Sequence, residues 1–316
     1  MRRVANRLAQ SILVLLVMSF VVYGLIGLMP GDPLDLMAAG SPSMTQDDLQ
    51  RLKALYGVDQ PLLVRYGHWL AMMAHGDLGF SRMTAQPVAA ALGGPLAHTA
   101  ALMIAGLAAA LLIGLPAGIA AALAERRPLD HALSIAAIAA LSVPVFWLGL
   151  LLIVVFAVDL QWLPASGVAT AGDGGAVDRL RHLALPVAAL GVAGAGLYQR
   201  YMRSAMIDTL RADWIRTARA KGLSWRRVVL GHALRSALIP VVTVLALDLG
   251  TLFSGVLVTE TVFAYPGMGK LIFDAVMGAD YNLAMAGLLL ATALTLTGNV
   301  LADIAYTLLD PRTKAR

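Results

Sequence analysis

The chain contains no cysteine, which excludes disulfides, thiol nucleophiles and thiolate metal sites. Charge is scarce as well. Asp, Glu, Lys and Arg make up 14% of its 316 residues, where a soluble domain carries about 25%. The histidines (His68, His75, His98, His131, His182 and His232) form no H-x-x-x-H or H-E-x-x-H pair, and no G-x-S-x-G elbow occurs. Gly267-Met268-Gly269-Lys270 has the ending of a phosphate loop, but Ala264 occupies the first glycine position and Leu271 replaces the Ser/Thr. A turn at a membrane boundary is expected there. The sequence offers no means of hydrolysing a nucleotide or a substrate, so no enzyme, no metal and no cofactor bound by this chain are expected.

What the chain has is apolar length. It is 59% hydrophobic, with mean hydropathy +0.75. Six stretches approach or exceed the roughly 20 residues that cross a hydrocarbon core: near Leu8–Met29, Leu96–Ala124, Ala132–Val158, Leu183–Met202, Ala237–Phe263 and Leu283–Thr307. The first exceeds the roughly 7–15 apolar residues of a signal peptide and reads as a retained span. Gly114, Pro116, Pro144 and Pro186 fall inside spans, where neighbouring helices can absorb lost backbone bonds.

The net charge of +5 does not point to nucleic acid, because its carriers cluster between the apolar runs as topology signals do. Arg2, Arg3, Arg7, Arg126, Arg127, the run from Arg200 to Arg235, Arg312, Lys314 and Arg316 share one side. Asp47, Asp48, Asp59 and Asp77 lie opposite. The positive-inside rule puts both termini in the cytoplasm. The chain then divides into residues 1–95, a first span plus an outer helical segment, and 96–316, a five-span core with a cytoplasmic loop at about 207–235. In the outer segment Thr45-Gln46-Asp47-Asp48 opens a helix that Gly57 ends. Pro61 begins another, with Leu62, Tyr66, Trp69 and Met73 on its apolar face. A pair of helices lying on the membrane is expected, and it can also receive a partner.

Asp213 to Pro240 is unusually basic for a connector, with Arg216, Arg219, Lys221, Arg226, Arg227 and Arg235 against Asp213. Asp213 is placed to cap a short helix through Trp214, Ile215, Thr217, Ala218 and Ala220, with Gly222 ending it at positive φ. Such a helix fits a groove on a soluble partner, Trp214 and Ile215 as buried anchors and arginines on the rim. A plain topology signal would explain the charge, but not the Trp, the alanines and the Gly together.

Arg216-Thr217-Ala218-Arg219-Ala220-Lys221-Gly222, followed by His232-Ala233-Leu234-Arg235, resembles the cytoplasmic loop of binding-protein-dependent importer permeases. Arg216 and Thr217 depart from that family's E-A-A opening in the manner of its peptide and nickel branch. Pro30-Gly31-Asp32-Pro33, Gly57-Val58-Asp59-Gln60-Pro61, Gly76-Asp77-Leu78-Gly79, Ser142-Val143-Pro144-Val145-Phe146-Trp147 and Leu163-Pro164-Ala165-Ser166-Gly167 are similar to that branch in the same order. So are Glu260-Thr261-Val262-Phe263-Ala264-Tyr265-Pro266-Gly267 and Leu309-Asp310-Pro311-Arg312. The resemblance, to the first permease type of dipeptide/oligopeptide/nickel importers, covers nearly the whole chain. It implies an all-α type I permease fold of six transmembrane helices in a bacterial inner membrane. It implies partners: a second homologous permease, two ATPase subunits that carry ATP and Mg, and an extracytoplasmic substrate-binding protein. It also implies that Asp213, Trp214, Ile215, Arg216, Thr217, Ala218, Arg219, Ala220, Lys221 and Gly222 form the helix that couples ATP hydrolysis to the spans. Nickel, glutathione or another small solute stays open beside peptides.

Ionisable groups inside spans are candidates for a solute path, because lipid burial is costly. Asp248, Thr251 and Gly255 share one face of the fifth span. Asn299, Asp303, Tyr306 and Asp310 share one face of the sixth. Either set equally fits interhelical hydrogen bonding. A proton-coupled secondary transporter, with Asp248 and Asp303 as relays, is the alternative of another class. It predicts internal repeats, and none is visible.

Overall fold

A computed structural model describes residues 2–28 and 60–309. The expected helix from Thr45, most of the Gly57–Pro61 motif, Pro30–Pro33 and Asp310 lie outside the described residues. In chain order the helices are α1 (Arg2–Gly27), α2 (Leu62–Ala74), α3 (Val88–Leu123), α4 (Pro128–Ser142), α5 (Val145–Leu152), α6 (Ala176–Leu210), α7 (Asp213–Ala220), α8 (Trp225–Arg227), α9 (Leu234–Gly255), α10 (Leu257–Val262), α11 (Met268–Met277) and α12 (Tyr281–Leu309). A π-helical run, Ile153–Asp159, extends α5, and another, Val228–Ala233, joins α8 to α9. Phe80–Ser81 (β1) and Gln86–Pro87 (β2) pair as a small antiparallel hairpin, an element the helical periodicity did not suggest.

Among the described residues five helical stretches are long and apolar enough to cross a membrane, or six if α4 and α5 count as one bent span. The second and fourth spans are longer than expected, Val88–Leu123 and Ala176–Leu210, and the third and fifth differ in form. Ala132–Val158 is not one straight helix: it turns by 98° between α4 and α5. Val143 is extended there (φ −82°, ψ 122°), because the ring of Pro144 disfavours helical backbone in the residue before it. The fifth span begins near Trp225 rather than Ala237, since buried Val228, Val229 and Ala233 carry the helix through the polar residues assigned to the loop. Its helix also breaks earlier, at Val256, before α10.

The chain forms two compact units, residues 1–96 with 270–294, and 97–269 with 295–316. In the first, α1 keeps most of its apolar surface exposed, Leu13 at 63%, as a lipid-facing helix does. Ile26 and Ser19 are buried, and the Ser19 hydroxyl bonds the Leu16 carbonyl at 2.8 Å and the Tyr66 hydroxyl at 2.7 Å. Tyr66 and Trp69 of α2 pack on Phe20 and Tyr23 of α1 with ring centroids 5.2–5.8 Å apart. Thus Tyr66 and Trp69 of the face read from the sequence meet α1, whereas Leu62 of that face is exposed and α2 has no fully buried residue. The hairpin that follows is tied to the turn before α12. Asp280 accepts from the Ser81 hydroxyl (2.7 Å), the Met83 amide (2.9 Å) and the Leu283 amide of α12 (3.2 Å).

The second unit is built on α6. Gly114 and Gly118 of α3 face it so closely that a Cβ would lie 2.7 Å from the Ala195 carbonyl oxygen and 2.6 Å from that of Gln199. On another side of α6, a Cβ at Gly196 would lie 2.6 Å from the Ala137 carbonyl of α4. Lipid supplies no hydrophobic drive between helices, so small residues that admit close backbone approach take its place. Gly196→Val should therefore cost about 1–3 kcal/mol by overpacking and lower the thermal midpoint of the purified protein. Gly231→Ala is the control, since a Cβ there meets only the Arg227 Cγ at 3.9 Å.

Candidate functional site

Helix α7 opens the loop singled out in the sequence. Its cap is Ala212, and no side chain bonds the first free amides. Asp213 sits one residue inside, at the positive end of the helix dipole, where it pairs with Arg216 at 3.2 Å. The expected Asp213 cap is corrected accordingly. Gly222 ends the helix at φ +80°, with its amide bonded to the Arg219 carbonyl at 2.9 Å. Left-handed backbone of this kind costs a glycine nothing.

The sides of α7 are sharply divided. Ile215 (2% exposed) and Ala218 join Met202, Met206, Val228 and Val229 in the core of the unit. Ile215 is therefore an anchor into its own chain, not into a partner, and Ala218 is where the helix meets α6 and the π-helical run. Spacing placed both on one stripe, but spacing alone does not say which neighbour covers it. Trp214, Arg216, Thr217, Arg219, Ala220, Lys221 and Gly222 remain exposed. Arg219 lies 5.2 Å over the Trp225 ring, a cation–π contact that holds its guanidinium on the outer face.

Asp248 lies mid-helix in α9 and accepts from the Tyr198 hydroxyl of α6 at 2.8 Å. The pair lines a cavity of about 210 Å³ whose other described lining is apolar, walled by Met103, Leu107, Leu190, Leu197 and Val256, with Gly106 and Gly194 among its lining. Tyr198 was not anticipated from the sequence. Asp248 is placed with a partner on another helix, whereas Asn299 is exposed on α12 and does not line this cavity. Thr251, Gly255, Asp303 and Tyr306 lie on described backbone whose side chains fall outside the description.

Two polar clusters escaped the sequence reading. In the first, Asp130 (2% exposed) takes both Arg203 nitrogens, Nε at 2.5 Å and Nη2 at 2.7 Å, together with the Arg126 amide at 2.9 Å. A bidentate guanidinium plus a backbone donor satisfies a buried carboxylate. The signal was present as Pro128-Leu129-Asp130, a proline-led helix with an acid in its first turn, but its Arg partner lies 73 residues away. In the second, Glu260 of α10 is fully buried and accepts a short hydrogen bond from the Thr99 hydroxyl, which in turn receives the Met268 amide at 2.8 Å. The chain wraps this carboxylate so tightly that a Cβ at Gly267 would overlap its oxygens. Burial lifts the nearby Tyr265 phenol above its ordinary pKa, and the Glu260 charge adds to the rise. The Glu260–Gly267 motif is thus a turn folded around its own first residue.

Breaking a buried ion pair leaves an uncompensated charge, while an exposed pair contributes little. Asp130→Asn should lower the thermal midpoint by several degrees. Glu125→Gln, which removes the exposed partner of Arg211, should change it by about a degree or less. Differential scanning fluorimetry of the two variants checks the order.

Known proteins are similar to this chain over nearly its full length. Residues 114–315 match the family described as binding-protein-dependent transport system inner membrane component, and residues 1–102 match the N-terminal part of such components. A protein of Brucella suis named as a peptide permease is 40% identical, with 99% of each chain covered. The oligopeptide transport system permease of Bacillus subtilis is 37% identical over 98% of each chain. The glutathione transport system permease of Escherichia coli is 37% identical over 98% of this chain and 97% of its own.

Proposed function

The chain belongs to the inner membrane components of binding-protein-dependent transport systems, and from that membership we propose that it is one permease of an ATP-driven peptide importer. The full-length likeness to chains named for peptide and oligopeptide transport supports the substrate class. A second reading, glutathione, has a specific observation in its favour, the 37% identity to a glutathione permease. Glutathione is itself a tripeptide, so both readings ask for a path that passes a small zwitterion with amide groups.

Energy enters through α7. The observation that carries this reading is the division of its sides. Ile215 and Ala218 lock the helix to the core of α6 and the α9 approach, while Trp214, Arg216, Thr217, Arg219 and Lys221 face outward. A helix rigidly fixed to two spans transmits a push at its outer face to both, as coupling between discrete packings requires. The outer face is basic with one exposed aromatic, which fits an acidic-rimmed groove with an apolar centre on an ATPase subunit. ATP and Mg then belong to that partner, with a second permease and a soluble binding protein completing the assembly. Both termini and the α7 loop lie in the cytoplasm, in keeping with the Arg and Lys asymmetry. Solute passes along the Tyr198–Asp248 cavity.

Trp214→Ala should reduce co-purification of the ATPase subunit at least about tenfold, as loss of a central aromatic anchor does. The folded permease should be retained. Arg216→Ala should mainly raise the salt sensitivity of assembly, since rim charges act on encounter. Ile215→Asp, by contrast, should destabilise the permease itself. If Trp214→Ala keeps normal assembly and uptake, α7 is a topology signal only.

Uptake into proteoliposomes should require the ATPase subunits and ATP. Uptake by the permease alone under a proton gradient would favour the secondary-transporter reading.

A further inference from the structure

The Tyr198–Asp248 cavity has a chemical polarity that the transport reading leaves unused. Among the described side chains lining it, Asp248 alone is charged, and Tyr198 is the sole hydroxyl. The remainder is aliphatic or glycine. A metal ion is a poor fit, since Ca or Mg takes about six or more oxygens and the described lining side chains provide three. An anion would meet a like charge. An aliphatic chamber with one carboxylate suits an organic cation whose charge sits at the end of a small apolar or amide body, that is, a primary ammonium.

The chamber is also built for something small. Helix α3 approaches α6 through Gly106, where a Cβ would lie 3.1 Å from the Leu190 Cβ, and through Ala110, whose Cβ would lie 2.8 Å from one added at Gly194. These small residues leave a volume of about 210 Å³, enough for the end of a peptide and too little for several residues. The Tyr198 hydroxyl donates to Asp248 Oδ2 at 2.8 Å, which fixes the carboxylate against rotation. A carboxylate offers about four acceptor positions, so the Tyr198 bond does not by itself exclude an ammonium.

We propose that this cavity is an ammonium subsite, in which Asp248, oriented by Tyr198, receives the free α-amino end of the peptide during passage. The proposal rests on the reading of the cavity as part of the solute path. It makes Asp248 a binding group and Tyr198 a positioning residue. It also gives the path a selectivity for charge that is separate from recognition by any soluble binding protein.

The absence of native cysteine allows a direct test. Leu107→Cys places one thiol in the cavity lining of the assembled transporter. It is treated with 2-aminoethyl methanethiosulfonate, a primary ammonium, and with the anionic 2-sulfonatoethyl reagent, each rate being divided by that for free 2-mercaptoethanol. The cationic reagent should then react at least about tenfold faster, as a carboxylate at close range in a partly apolar site requires. Asp248→Asn, which keeps an oxygen for the Tyr198 bond, should bring the ratio close to one. Tyr198→Phe, which keeps the charge, should leave a clear cationic preference. Equal normalised rates in the Asp248 protein, or a preference that survives Asp248→Asn, would overturn the ammonium subsite while leaving the path intact. Inertness to both reagents in every nucleotide state would overturn the path reading and the subsite with it.

Discussion

Helix α6 lies against α3 and α4 at backbone distance, and the rest of its unit is arranged around that approach. Gly114 and Gly118 on one side and Gly196 on the other put peptide groups where side chains would ordinarily stand. In lipid, apolar side chains gain nothing by leaving one apolar medium for another, so close packing and interhelical hydrogen bonds hold spans together. With the helices this near, side chains of α6 reach partners on three neighbours. Arg203 meets Asp130 on α4, Tyr198 meets Asp248 on α9, and Met202 and Met206 share one buried cluster with Ile215 of α7. The Tyr198–Asp248 cavity and the buried side of α7 therefore both draw on residues of α6.

Polar groups inside this apolar framework are few, and several are tied at places where the chain changes direction. Asp130 holds the turn between α3 and α4, where Arg126 takes a positive φ of 64°. Glu260 is enclosed by the turn between α10 and α11, and Asp280 anchors the start of α12 to the β1–β2 hairpin. A buried carboxylate is tolerable only when donors surround it, and turns are where backbone amides are free to serve. The same rule distinguishes Asp248. It lies mid-helix, where backbone amides are already used, and its described donor is a side chain from another span.

Much of the protein was legible in the sequence because the bilayer imposes length and polarity on every crossing. The apolar runs located the spans, and the Trp214–Gly222 stretch marked a helix with a glycine stop that the structure places at φ +80°. The α2 face of Tyr66 and Trp69 followed from helical spacing alone. These are local properties, written in residues three or four positions apart.

Only the tertiary structure decided which neighbour each residue meets. Periodicity put Ile215 and Ala218 on one stripe of α7, but their burial against Met202 and Val228 depends on contacts the sequence does not order. The 98° turn at Pro144 needed a place for the departing α5. Asp130 with Arg203, Glu260 with Thr99 and Asp248 with Tyr198 are separated by 73, 161 and 50 residues. A carboxylate's donor is chosen by packing, since Arg, Thr and Tyr can each donate a hydrogen bond to it once brought close. The sequence determined that these acids had to be partnered, and the fold alone determined by whom.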